Sequence, residues 1–347
     1  MTTEELLKDA NLRFSTDKKP GYTRKVSGDS FQYFDTEGKR ITDAATIDRI
    51  NKLVVPPAYK NVWICPSPNG YLQATGYDDR KRKQYRYHHL WNKAAQEEKF
   101  SHLIEFGRIL PKIRIQLQKD LQKEGLPRVK VIAAVIWLLE NTLIRIGNEE
   151  YAEDNKSYGL TTLQNRHVSI SDTNIKFQFK GKSGVYHNIS IKNKKVARIV
   201  KRCKDLPGQD LFEYKDDEGN IQTVTSEDVN TYLKDVTGKE ITAKDFRTWG
   251  GTVFAATLFD KAGVYGDDSV TKESVIETVK EVAGHLGNKP NTCKKYYIHP
   301  HVIEAYMKGS ILSRFEKTKG VRAESVDGLN MAENKVLSML IHAEKLI

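Results

Sequence analysis

The sequence predicts an α+β fold: a small β-rich N-terminal domain over residues 1–95, then a larger, mainly helical domain over 96–347 with a three-stranded β-hairpin insertion. Three observations predict it. From Gly21 to about Thr75, short apolar runs alternate with Gly, Pro, Asp and Asn, the signature of strands and tight turns. From Lys93 the apolar period changes from two to 3.6, which marks a domain boundary near residues 90–97. Inside the helical part, the runs HVSIS, NIKFQFKGK and GVYHNISIK return to alternation.

Taken in order, FQYFDTEGKRI predicts a hairpin on Asp35–Gly38, and VWICPSPNGYLQATG a second on Pro66–Gly70. Between them Asp43 to Leu53 predicts a short helix, closed by the prolines that follow. Ala94 to Glu124 reads as one or two amphipathic helices with a break or kink at Pro111. Val129 to Ile146 is far more apolar and predicts a central buried helix with Arg145 at its end. The strands beyond it form a hairpin turning at Gly181–Gly184, with Lys182 at the tip.

Helices resume at Lys194. Thr225 with Asp228, and Thr242 with Asp245, predict helix starts in which a hydroxyl pairs with a carboxylate three residues on. Lys272 to His285 is helical in pattern, with Gly287 where a left-handed terminator is expected. Amphipathic helices over Pro300–Met307 and Leu329–Leu346 complete the chain.

The 347 residues carry a formal net charge of +11, which favours a polyanionic partner. Cys65, Cys203 and Cys293 are far apart and form no CxxC pair, so neither a disulfide framework nor a cysteine-rich metal site is expected. The amino terminus lacks a basic start followed by an apolar run, and no stretch approaches the ~18 apolar residues of a membrane span. A cytoplasmic protein without a membrane anchor is expected.

Two stretches carry the chemistry. Tyr77 to Trp91 interleaves cations with Gln84, Tyr85 and Tyr87, the mixture a nucleic-acid surface needs: cations neutralise phosphate while amide and phenol groups reach phosphates or base edges. His88 and His89 have no matching metal-ligand partners. In the second stretch, Lys294 and Lys295 precede Tyr296 and Tyr297, and a phenol beside fixed cations can act as a nucleophile. Lys244 and Arg247 fall in the first turn of a helix, where they oppose the macrodipole unless an anion sits there. Each signal has an ordinary explanation alone: core tyrosines, a capping arginine, a solubilising lysine.

Their order along the chain is more specific. Val55-Pro-Pro-Ala-Tyr59, Lys83-Gln-Tyr-Arg-Tyr87, Arg145-Ile-Gly-Asn148 with Tyr151, and Tyr158-Gly-Leu-Thr-Thr-Leu163 come first. Phe179-Lys-Gly-Lys182, Lys244-Asp-Phe-Arg247 and Leu286-Gly-Asn-Lys-Pro290 leading to Tyr297 follow. Over nearly its whole length the sequence resembles the type IB DNA topoisomerases of the compact poxvirus and bacterial kind. The resemblance implies that Tyr297 attacks a backbone phosphodiester, forming a 3′-phosphotyrosyl link and freeing a 5′-hydroxyl strand that swivels and is resealed. It implies that Arg145 and Arg247 stabilise the charged transition state and that Lys182 protonates the leaving oxygen, as the chemistry of these side chains suits. Asn288 stands nine residues before Tyr297, where many relatives carry a histidine, and can still donate a hydrogen bond.

The resemblance further implies DNA contacts at Gln84, Tyr85, Tyr87, Tyr151, Thr162 and Lys244, with the two domains closing as a clamp around double-stranded DNA. No metal, nucleotide or other cofactor is expected, since the phosphotyrosine conserves the bond energy and no GxxxxGK(S/T) loop occurs. A monomer is expected, associated with the nucleoid of a bacterium, with a virus as the alternative source. Two other functions compete. A tyrosine site-specific recombinase usually shows HxxR where this chain has Lys244 and Arg247; a non-catalytic architectural protein would not need five competent catalytic positions.

Overall fold

The computed structural model describes residues 3–28, 30–264, 267–312 and 325–344. The chain divides into two compact units, Met1–Ser101 and His102–Ile347.

The first unit begins with α1 (Thr3–Asp9) and continues through β1 (Tyr22–Ser27), β2 (Ser30–Phe34), α2 (Ala44–Lys52), β3 (Lys60–Ile64), β4 (Leu72–Tyr77) and β5 (Lys83–Tyr87). The strands form one antiparallel sheet in the order β2-β1-β3-β4-β5. One face buries Tyr33, Val62, Ile64 and Ala74 against Ile50 of α2, with Ile47, Leu53, Val55 and Tyr59 around them. Asp43 caps α2 by accepting from the Thr46 amide at 2.8 Å. Arg24 fixes the Val55–Tyr59 loop, donating to the Val55, Pro56 and Tyr59 carbonyls at 3.0, 2.9 and 2.9 Å. The expected Pro66–Gly70 hairpin is present as β3–β4. The expected Asp35–Gly38 hairpin is only a turn closed by a single Phe34–Arg40 bridge; β2 spends its ladder on β1 instead.

A single 32-residue helix, α3 (His89–Asp120), follows and carries Pro111 within it, so the break expected there does not divide it. Next come α4 (Arg128–Thr142) and α5 (Glu149–Asn155), then the antiparallel three-stranded sheet of β6 (Val168–Ser171), β7 (Asn174–Lys180) and β8 (Tyr186–Lys192). After α6 (Lys194–Lys204), a two-stranded ribbon pairs β9 (Glu213–Lys215) with β10 (Ile221–Thr223). The remaining helices are α7 (Ser226–Thr237), α8 (Ala243–Ala262), α9 (Asp268–Leu286), α10 (Pro290–Tyr296), α11 (Pro300–Met307) and α12 (Met331–Glu344).

The core of this unit is α4, whose Val131 to Ile136, Leu138 and Leu139 are all buried. Each of the Val, Ile and Leu side chains among them contributes ~1.5–3 kcal/mol on burial. Around α4 pack α6, α7 and α8. Thr225 and Asp228 form the predicted reciprocal cap of α7; at α8 the Thr242 amide and hydroxyl both donate to the Asp245 carboxylate, at 2.8 and 2.9 Å. No described helix is long and apolar enough to cross a membrane.

Candidate active site

The site starts where α4 stops. The Thr142 hydroxyl folds back onto the Leu138 carbonyl at 2.6 Å, and Leu143 turns left-handed with φ 53°. Beyond it the chain runs extended, and the Leu160 and Thr161 amides donate to the Arg145 and Ile146 carbonyls at 2.8 and 2.6 Å. Arg145 therefore lies on an extended segment three residues past the helix, not at the helix end the apolar run suggested. Its guanidinium caps a different helix.

That helix is α9. Gly287 takes the left-handed conformation, φ 61°, its amide donating to Gly284 and the Asn288 amide to Ala283, which closes a Schellman turn. Two carbonyls at the end of the turn are taken by arginines: Gly287 accepts from Arg145 at 3.1 Å and Leu286 from Arg247 at 2.9 Å. Cations suit the negative end of a helix dipole. Arg145 also donates to the Asn288 side-chain carbonyl, and Arg247 to the Leu143 carbonyl. Among the described residues neither arginine forms an ion pair. Burial lowers the proton affinity of both, and that of Arg247 falls to about 10, with Arg145 beside it adding to the effect; both stay charged at neutral pH.

Arg247 comes from the second turn of α8 and is 4% exposed. Its guanidinium lies over the Tyr297 ring, 5.1 Å from the centroid. Arg145 and Arg247 both act on Tyr297, whereas Lys295 lies over the neighbouring Tyr296. Tyr297 follows the last turn of α10, its amide donating to the Cys293 carbonyl at 2.9 Å. Behind it, a Cβ on Gly251 would stand 2.7 Å from the Tyr297 carbonyl oxygen, so α8 touches this backbone only because residue 251 is glycine. Thr252 then accepts from the His299 amide at 3.1 Å and reaches the Tyr297 carbonyl at 3.4 Å.

Lys182 sits at the β7–β8 turn, as predicted, with Ser183 and Gly184 left-handed. The Tyr158 amide donates to the Lys180 carbonyl at 2.9 Å and ties the end of β7 to the segment beside Arg145. Arg145, Lys182, Lys244, Arg247, Tyr297 and Tyr158 line one cavity of about 450 Å³. Asn288 joins through its bond with Arg145. Two buried donors here have no partner among the described residues, Arg247 Nε and Asn288 Nδ2. Buried polar groups are normally satisfied, so a constellation of two cations, a third at a turn, and two spare donors around a phenol is suited to an anion.

The other predicted contacts are not among the residues that line this cavity. Gln84, Tyr85 and Tyr87 lie on the edge strand β5 of the first unit. Tyr85 and Tyr87 are exposed and stacked, 6.1 Å between centroids, while Gln84 donates to Asp78 at 3.1 Å. Thr162 is buried, its hydroxyl accepting from the Gly159 amide at 2.9 Å. Tyr151 lies on α5, and its side chain falls outside the described residues. Two residues that sequence reasoning did not single out belong to the site: Thr252, and His187 on β8. Neither had a signal in the sequence, one reading as a helix residue and the other as an alternating strand position.

Comparison with known proteins gives the family. Residues 83–323 match the family described as eukaryotic DNA topoisomerase I, catalytic core, and residues 30–78 the bacterial DNA topoisomerase IB N-terminal domain. The chain is 34% identical to DNA topoisomerase 1B of Acanthamoeba polyphaga mimivirus, over 82% of its own length and 87% of that protein. It is 23% identical to DNA topoisomerase I of Monkeypox virus and to DNA topoisomerase 1B of Vaccinia virus (strain Copenhagen), each over 70% of this chain and 75% of the other.

Proposed function

The chain belongs to the type IB DNA topoisomerases, and we propose that it relaxes supercoiled double-stranded DNA through a covalent intermediate on Tyr297. The observation that carries the assignment of residues is the pairing of an arginine-covered tyrosine with two buried donors, Arg247 Nε and Asn288 Nδ2, that nothing among the described residues satisfies.

In this reading Tyr297 Oη forms a bond to a backbone phosphorus and gives up its proton to water. As the pentacoordinate phosphorus develops, Arg145, Arg247 and the Asn288 amide donate to its nonbridging oxygens. The bond to the 5′-oxygen then breaks; the electron pair stays on that oxygen, and the Lys182 ammonium supplies the proton that makes it a hydroxyl. The 3′-phosphotyrosine keeps the energy of the broken bond, so the reverse attack reseals the strand after rotation without ATP. Lys244, Tyr85, Tyr87, Gln84, Tyr151 and Thr162 are the proposed DNA contacts, each unit carrying its own surface. The net charge of +11 supports a polyanionic substrate.

The same reading takes the protein as a cytoplasmic monomer. A bacterial source is supported by the match of residues 30–78, while the relatives named above are viral.

The test is relaxation of supercoiled plasmid in EDTA without ATP by the parent, Tyr297→Phe and Tyr296→Phe proteins. Loss of relaxation in Tyr297→Phe alone is expected. Activity in Tyr297→Phe, or dependence of the parent on a divalent metal or ATP, would overturn the assignment.

A further inference from the structure

His187 stands across the β7–β8 ladder from Phe179, and its imidazole stacks on that ring at 4.9 Å and 18°. It is 8% exposed. On either side it meets a glycine. A Cβ on Gly181, the residue before Lys182, would lie 2.7 Å from the ring, and one on Gly287, the residue before Asn288, 2.3 Å from it. The imidazole therefore fills the space between the base of the lysine turn and the end of α9. Burial, with Arg145 and Arg247 nearby, keeps the ring neutral by lowering its pKa to about 4. A cation at this point would repel both arginines; a flat uncharged ring does not.

We propose that His187 is a positioning residue that docks the Lys182 turn onto the Gly287–Asn288 elbow, so that the proton donor is held at the site where the arginines and Tyr297 converge. The β7–β8 turn has few anchors of its own. Lys182, Ser183, Gly184, Val185 and Tyr186 are all exposed, and His187 is the first side chain beyond the turn that is buried. Gly181 is at φ −93°, a conformation open to any residue, so what demands glycine there is the ring and not the backbone.

The inference rests on Lys182 as the donor to the leaving oxygen, and the experiment separates the two claims. Single-turnover cleavage is measured on an ordinary duplex and on one with sulfur in place of the bridging 5′-oxygen, whose thiolate leaves without a proton. Lys182→Ala should be slow on oxygen and largely restored on sulfur. His187→Ala and Gly181→Ala should each slow the oxygen substrate by roughly 10- to 100-fold, and each recover on sulfur to within about threefold of the parent. His187→Phe, which keeps a neutral ring, should stay close to the parent. The Gly181→Ala/His187→Ala double variant should be no slower than His187→Ala alone, since the added methyl enters space the ring has left.

Equal slowing of His187→Ala on oxygen and sulfur, or additive effects in the double variant, would overturn the docking role. Failure of sulfur to restore Lys182→Ala would overturn the assignment of Lys182 instead, and docking would then be decided by the coupling between residues 181 and 187.

Discussion

The guanidinium of Arg247 lies over the ring of Tyr297 at 5.1 Å, and the same group donates to the carbonyls of Leu143 and Leu286. One side chain thus joins the segment leading to Arg145, the end of α9 and Tyr297, the proposed nucleophile. A lysine cannot reproduce this, because it lacks the planar fork. Arg247→Lys is expected to lower single-turnover cleavage by roughly 10²-fold. Arg247→Ala should in addition lower stability by ~1–3 kcal/mol, because two buried carbonyls lose their donor. Cleavage kinetics and urea unfolding of the two variants check this.

Asn288 separates catalysis from stability. Its side-chain carbonyl accepts from Arg145, while its amide nitrogen is buried without a partner. Asn288→Asp keeps the acceptor, gives Arg145 a counter-charge and replaces the donor with an oxygen that repels phosphate. The expected result is a protein no less stable than the parent with cleavage reduced by roughly 10²-fold. Equal cleavage rates would remove Asn288 from the site.

Gly251 lies inside α8, where replacing glycine by alanine normally stabilises a helix by ~1 kcal/mol. Here the sign reverses. The new methyl would stand 2.7 Å from the Tyr297 carbonyl oxygen, a backbone atom that can move only by moving the proposed nucleophile. Gly251→Ala is expected to slow cleavage at least tenfold at unchanged DNA affinity, measured by comparing single-turnover rates with equilibrium binding. Thr252→Val, which removes the hydroxyl that accepts from the His299 amide, should have a smaller effect in the same direction.

Buried histidines make stability fall on the acid side: among the described residues burial lowers the pKa of His88, His167, His187, His285, His299 and His301. Burial holds His187 and His299 down at about 4, with Arg145 and Arg247 adding to the effect at the first and His301 at the second. Between pH 6.5 and 4 the unfolded chain binds protons that the folded chain refuses, so unfolding becomes easier as pH falls through that window, and above pH 6.5 neither group contributes. For His187 the full displacement corresponds to ~3 kcal/mol. Thermal unfolding from pH 8 to 4 should show this acid limb, and His187→Phe should flatten it.

Much of the scaffold was legible. Gly287 as the end of α9, the cap at Thr225 and the hairpin turn at Lys182 all follow from local rules, and local rules govern the backbone within a few residues. The site was legible less evenly. Arg145 was drawn to the end of a helix because the apolar run continues to Ile146, yet Leu143 turns left-handed, Leu143 and Ile144 are buried outside the helix, and the Arg145 and Ile146 carbonyls pair with residues 160 and 161. The lysines beside Tyr297 looked like its cations, but Lys295 lies over Tyr296, and the cations at Tyr297 are Arg145 and, fifty residues away in sequence, Arg247 of α8. His187 and Gly251 matter only through what they touch, and no sequence period records a contact between distant elements.

The clasp on the end of α9 has one more consequence. Arg145 and Arg247 are held by peptide dipoles of the Schellman turn and, among the described residues, by no carboxylate. In the proposed reaction an incoming phosphate would therefore displace no carboxylate from the arginines, and a departing one would leave no ion pair to be re-formed. Such a site would act as a socket already wired at fixed polarity, breaking and remaking the same bond through many cycles without resetting its own charges.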